Sequence, residues 1–272
     1  LSHLVLISFQ MLFFNFTVDD AFISFRYAEN LVKYSKLSFN PNQPPVEGYS
    51  NFLWVLILSI AFQFNFEPIL YSKLLGIFFS HLSILILQII SIRFFQKERN
   101  SSYLIIFLYI FTPNIALWSI GGLETSLYGF LLLCSIFFFL KGLEIQKNKY
   151  LLFSSFCFLL LSLTRPEGVL IYIGSLFFLM IFSVYRKLRV KDFIISLLEF
   201  FCIFIIFYGI YFIWRFIYYQ NFLPQTFLAK TVDFSIITLL GKLISLVPLF
   251  FAYFIGLILF LLNIINKGRA SL

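Results

Sequence analysis

The chain has 272 residues, 61% of them apolar and 12% charged, where a soluble domain carries about 45–50% apolar and about 25% charged residues. That balance excludes an ordinary soluble domain, a disordered chain and a nucleic-acid binder. The net charge of +8 does not form a basic patch, because most of the excess lies in short loops between apolar runs.

The first apolar run, Leu1 to Phe16, is short for a membrane span and opens without Met. It reads as the remainder of a first helix in a fragment. A cleaved signal peptide would show a basic n-region and an A-x-A site, and neither is visible. Thr17 to Asn51 is the longest polar stretch. Within it Phe22, Phe25, Ala28 and Val32 recur at helical spacing, with Arg26, Glu29, Asn30 and Lys33 between them. This pattern predicts a surface helix over Ala21–Tyr34 with Thr17 or Asp19 as its cap. The Pro- and Gly-rich segment Asn40 to Asn51 predicts a structured turn. Phe52 to Phe66 is apolar but only about 15 residues long, against about 20 for a span. Longer apolar runs follow at 69–92, 103–120, 127–140, 150–163, 169–184, 193–214 and 243–263; with the first run they make eight spans. Cys134, Cys157 and Cys202 lie inside these runs and read as small buried hydrophobes. With His3 and His81 the only histidines, zinc is not expected.

Base sets the orientation. The connections holding Arg93, Lys97 and Arg99, then Lys141, Lys147 and Lys149, then Arg186, Lys187, Arg189 and Lys191, and finally Lys267 and Arg269 carry twelve of the twenty basic residues. These connections should be cytoplasmic. Alternation then requires a single crossing between Asn51 and Arg93, so 52–66 is expected to be interfacial or half-inserted. Eight of the twelve acids fall on the opposite, outer side: Asp19, Asp20, Glu29, Glu47, Glu67, Glu124, Glu167 and Asp233.

The outer loops bring together candidate chemistry. Capping accounts for one of Asp19 and Asp20, but two adjacent carboxylates at the mouth of a membrane helix point to a role. Glu47, Tyr49 and Asn51, with Arg26 on the preceding helix, suit a hydroxyl-rich ligand. Glu124 precedes a helix whose positive end favours an ionised carboxylate. Arg165 and Glu167 either pair with each other in a tight turn or face the same ligand. Arg215 and Lys230 flank aromatic and amide residues and suit a phosphate, unless they merely snorkel to the interface. This set fits sugar transfer from a lipid phosphate. The leaving group needs cations, and the acceptor hydroxyl needs one carboxylate, Asp19 or Asp20, as base. A glycosidase would need a raised-pKa acid, and no nucleotide-binding fingerprint is present. No cofactor is expected; Asp19, Asp20 and Glu124 are a possible but disfavoured set of oxygen ligands for a divalent ion.

Five ordered motifs carry a family resemblance. They are the Val18–Leu31 segment, Val46–Trp54, Gly122-Leu123-Glu124-Thr125, Thr164–Gly168, and the run from Arg215 through Tyr218-Tyr219 and Leu223–Thr226 to Ala229-Lys230. Together they resemble the bacterial GT-C fold membrane glycosyltransferases, closest to the mycobacterial terminal arabinofuranosyltransferases and their uncharacterised relatives. The resemblance implies an all-α polytopic GT-C helical bundle with interfacial helices in its first outer loop. The whole of 1–272 would be its N-terminal transmembrane module. It further implies a polyprenyl-phosphate sugar donor and inverting transfer to a cell-envelope glycan, glycolipid or protein. The site would face outward from the bacterial inner (cytoplasmic) membrane, with Asp19 as base. Family members continue with further spans and often an outer domain. A transporter or lipid flippase is the competing reading; it would favour acids within spans, broken helices and internal repeats.

Overall fold

The computed structural model describes residues 1–94, 99–145, 148–187 and 189–222. Among these residues all regular structure is helical, in ten helices: α1 (Ser2–Leu12), α2 (Ala21–Tyr34), α3 (Phe52–Gln63), α4 (Pro68–Phe94), α5 (Arg99–Ile110), α6 (Pro113–Ile120), α7 (Thr125–Ile145), α8 (Asn148–Thr164), α9 (Glu167–Tyr185) and α10 (Val190–Tyr219). The expected surface helix forms over the residues its spacing predicts. The last apolar run, Lys97, Lys147, Asp233, Lys267 and Arg269 lie outside the described residues.

The helices are built for lipid. On α4 the outward residues are Leu70, Leu74, Phe78, Leu85, Ile89 and Ile92, while Ser72, Ser80 and Ser83 are buried. On α10, Ile205, Ile206, Phe207, Ile210 and Ile213 are all exposed. Large apolar groups outside and small polar groups inside is the arrangement expected where the solvent is hydrocarbon and small residues let helices approach. Buried serines return their hydroxyls to the preceding turn, as Ser135 does to Leu131 and Ser183 to Leu179. Ser154 instead donates to the carbonyl of Ser135, tying α8 to α7. At Gly76 a β-carbon would stand 1.8 Å from the carbonyl oxygen of Ser119, so α4 and α6 meet backbone to backbone.

Among the described residues four helices are long and apolar enough to cross a membrane: α4, α7, α9 and α10. This is a helical membrane protein; of the eight expected spans seven fall within the described residues, and four of those seven are full-length helices. The run 103–120 is not one helix, because it breaks at Thr112-Pro113 into α5 and α6, which meet at 54°. Proline supplies no N–H and clashes with the preceding turn. Counted as one broken span, this pair gives a fifth crossing. The first run yields only the eleven residues of α1, and α8 has seventeen. α3 has twelve residues, about 18 Å of helix against a hydrocarbon core of about 30 Å. It buries Trp54, Val55, Leu58 and Ala61 along one face and packs on α2, α4 and α8.

One apolar core joins α2, α3 and α7 to α10, centred on Phe139, Phe158, Tyr172 and Phe200. A smaller one holds α1 against α4, α5 and α6 through Leu6, Ile84, Ile110 and Ala116. The cysteines are unpaired; Cys134 is buried, but Cys202 is exposed on α10, which corrects its reading as a buried side chain.

Candidate functional site

The connections at one end of the bundle converge. The segment leading into α2 is stitched to the α6–α7 loop, because the Val18 N–H donates to the Gly121 carbonyl at 3.0 Å. Gly122 has φ +86°, a conformation that favours glycine, and a β-carbon there would come within 3.0 Å of the Ala21 β-carbon. Trp54 on α3 closes the same loop by donating its indole N–H to the Gly122 carbonyl at 3.2 Å.

Asp19 and Asp20 therefore stand at the seam of two loops, and both are exposed. Neither caps α2 in the expected way. Asp20 occupies the cap position without a side-chain bond, and Asp19 accepts the N–H of Asp20 at 3.0 Å. The capping role that would explain one carboxylate is thus absent, and among the described residues neither has a cation within 4.0 Å.

Beneath them lies a buried polar chain. Glu124 directly precedes α7 and is held from two sides. The Asn51 side-chain amide donates to its Oε2 at 2.8 Å, and Arg165 Nε lies 3.3 Å from its Oε1. Asn51 also donates to the Ser24 hydroxyl at 3.0 Å, so α2, the first loop, α7 and the α8–α9 turn meet at one carboxylate. Arg165 thus pairs with Glu124 and not with Glu167, which begins α9 with its side chain exposed. Arg165 remains 42% exposed while Glu124 is 7% exposed, so the pair is open on its arginine side.

The second buried carboxylate has a different partner. Arg215 donates Nε and Nη2 to the two oxygens of Glu47, at 2.7 and 2.5 Å, and Nη1 to the Phe222 carbonyl at 3.0 Å. The side chains are 6% and 3% exposed. Glu47 and Arg215, expected to meet sugar hydroxyls and phosphate, are thus committed to each other. Lys230, their expected companion, lies outside the described residues.

Tyrosines fix the first loop around this pair. Tyr27 accepts the Gly48 N–H at 2.8 Å and donates to the Val46 carbonyl at 2.6 Å. Tyr218 accepts the Leu37 N–H at 3.1 Å, and Tyr219 donates to the Leu37 carbonyl at 2.9 Å. Tyr49 is buried, with its hydroxyl 3.1 Å from that of Tyr219. Burial pushes the Tyr49 phenol well above the ordinary tyrosine value, and the neighbouring Tyr219 and Glu47 add to this. Burial raises Tyr27 too, over the opposing effect of the Gly48 bond. Arg26 is exposed; its Nε donates to the Phe39 carbonyl at 3.3 Å, and the same carbonyl accepts from Asn30 at 2.9 Å.

Sequence reasoning missed one participant, Ser24, and a buried lysine at the same end, Lys73, whose ammonium donates to the Phe14 carbonyl. Ser24 gave no signal. Lys73 did, as the only formal charge inside the run 69–92 apart from histidine, and an ionisable group within a span is a functional candidate in its own right. No group of three or more His, Cys, Asp or Glu side chains among the described residues is placed to hold a metal ion, so Asp19, Asp20 and Glu124 do not form a ligand cluster. Comparison of the chain with family models, curated proteins and solved structures returns no match.

Proposed function

We propose that the chain is an integral membrane glycosyltransferase of the GT-C type. It would take a sugar from a polyprenyl-phosphate donor and pass it to a hydroxyl of a cell-envelope glycan, glycolipid or protein on the outer face of the inner membrane. The observation that carries this reading is a pair of exposed carboxylates that cap no helix, beside a buried carboxylate–amide pair with an open guanidinium edge, at one end of a lipid-facing bundle. Lipid donors approach such an end with the tail in the bilayer and the phosphate at its surface.

In the proposed step, the Asp19 carboxylate removes the proton from the acceptor hydroxyl. The freed oxygen attacks the anomeric carbon as the bond from that carbon to the phosphate oxygen breaks. The electron pair leaves on polyprenyl phosphate, the configuration inverts, and the proton stays on Asp19 until solvent takes it. Asp20 is the neighbouring candidate base. Glu124, Asn51 and the open edge of Arg165 face the sugar, with Glu167 at the rim. Glu47, Tyr49 and Arg215 act as positioning residues that hold the first loop against α10.

The test is release of polyprenyl phosphate by the full-length protein in membranes, offered a panel of polyprenyl-phosphate sugars, comparing wild type with Asp19→Asn. Release that vanishes in the variant supports the reading and identifies the donor. Release that survives transfers the base to Asp20. No release from any donor by folded protein overturns the transferase. A transporter or flippase is the second reading, favoured by the broken α5–α6 pair and by the buried Gln10, which donates to Ser80 and Ser119 at 2.8 Å each and so links α1, α4 and α6. It predicts movement of lipid or solute with no bond made or broken.

A further inference from the structure

The described residues bury four charged side chains: Glu47, Lys73, Glu124 and Arg215. Three are neutralised in ion pairs, Glu47 with Arg215 and Glu124 with Arg165. Lys73 is the exception. It is 5% exposed, and among the described residues no carboxylate oxygen lies within 4.0 Å of its ammonium. Its Nζ donates to the Phe14 carbonyl at 2.5 Å and sits 5.1 Å from the centre of the Phe14 ring. An ammonium carries three N–H donors, so one carbonyl and one ring face leave much of its demand unmet. A buried cation is costly unless an anion meets it.

Its place narrows what that anion is. Lys73 is the sixth residue of α4, about 8 Å along the helix from its start. It lies on the inward face with Ser72, whose hydroxyl would be 3.4 Å from a β-carbon at Gly122. Phe14, its carbonyl partner, begins the segment that runs to Asp19. The ammonium is therefore joined to the segment that leads to Asp19, and its chain neighbour Ser72 lies against the Glu124 loop. The other basic groups described at this end have partners of their own: Arg26 and Lys33 with Glu29, Lys36 with the Pro41 carbonyl, Arg165 with Glu124, and Arg215 with Glu47. Among the described residues Lys73 alone combines burial with no ion-pair partner within 4.0 Å; the exposed Glu67, just before α4, acts on it only from beyond that distance.

We propose that Lys73 is a phosphate seat: its ammonium receives a phosphate group presented at this end of the bundle. The choice of a polyprenyl phosphate as the bearer rests on the function proposed above; the seat itself does not depend on sugar transfer. Lysine binds phosphate as a point charge and needs no fork geometry, which suits a single head turned in among backbone carbonyls. Lys73 is a binding residue in this account.

The experiment reads binding and not turnover. Full-length wild type, Lys73→Gln, Lys73→Met and Lys73→Arg are titrated in detergent with a long-chain polyprenyl phosphate, and the rise in unfolding temperature is followed. Phosphatidylglycerol, inorganic phosphate and the uncharged polyprenol form the other arms. Wild type is expected to respond to polyprenyl phosphate and not to polyprenol, with the two neutral variants weakened at least about tenfold and Lys73→Arg within about threefold of wild type. A response shared by inorganic phosphate assigns the seat to phosphate itself; a response confined to the lipids assigns it to a lipid phosphate. Wild-type affinity in Lys73→Gln, or no response of wild type to any phosphate, overturns the proposal and leaves Lys73 as a tie between α4 and the Phe14 carbonyl. If neither neutral variant folds, wild type is photolabelled with a polyprenyl phosphate bearing a diazirine next to its phosphate. Label in the peptides covering 12–18 and 68–76 is expected, and label only elsewhere overturns the seat. Binding without transfer would defeat the proposed enzyme while sparing the seat.

Discussion

The two buried glutamates at the loop end have the same kind of partner and different surroundings. Glu47 meets Arg215 through two parallel bonds with both side chains sealed. Glu124 meets Arg165 through a single 3.3 Å approach, and the arginine stays 42% exposed. A sealed, bidentate pair has no face left for a ligand, so its consequence is mechanical: it fastens the first loop to α10. An open pair keeps donors free at the rim while its carboxylate is fixed from below by Asn51. The difference separates a clamp from a binding edge where composition and loop position are alike.

Breaking the clamp should have the largest effect. Glu47→Ala or Arg215→Ala leaves one buried charge alone and should cost about 3–5 kcal/mol, while Glu47→Leu combined with Arg215→Met should recover much of that loss. Reversible denaturant titration in detergent measures both, and single losses under about 1 kcal/mol would mean the pair is not a clamp. Glu124→Ala should cost less, about 1–3 kcal/mol, because the Asn51 amide loses its acceptor while Arg165 turns to water. A loss equal to that of Glu47→Ala would erase the distinction. Arg165→Gln should change stability by under about 1 kcal/mol, as partly solvated pairs do. It should still lower donor-dependent release at least about tenfold, which corresponds to about 1.4 kcal/mol of transition-state binding. Unchanged release would remove Arg165 from the edge.

The smallest effect is alkaline. Tyr27 and Tyr49 are raised by burial, whereas an unfolded tyrosine ionises near pH 10. The unfolded chain therefore loses these protons first, so stability is whole below about pH 10 and falls as pH rises beyond it. Tyr49→Phe should flatten that fall, and a fall as steep as that of wild type would count against the clamp's tyrosine collar.

The helix α2 was legible because its apolar residues recur every three or four positions, and the shortness of α3 was legible by count. The loops that hold Glu47, Glu124 and Arg165 were legible as breaks between apolar runs. Pairing was not. Nothing in local sequence says that Glu47 belongs to Arg215, 168 positions away, or that Arg165 turns to Glu124 instead of its neighbour Glu167. The bend at Pro113 was written in the sequence, but hydropathy averages over a proline that costs one hydrogen bond and no hydrophobicity. Lys73 disappeared in the same way, its single charge diluted by the apolar run around it.

Leu37 is gripped by two consecutive residues of α10, its N–H by Tyr218 and its carbonyl by Tyr219, 181 and 182 positions later. During synthesis the early loop therefore waits for a partner not yet made. At about 5–20 residues per second the interval is roughly 10–40 s. Over that time Glu47 has no arginine and Leu37 has no phenols, and the nascent loop end is held by α2, α3 and, once it is made, the α6–α7 loop. Arrival of α10 is the event that finishes the first loop, so late membrane insertion of one helix governs when the earliest polar segment acquires its shape.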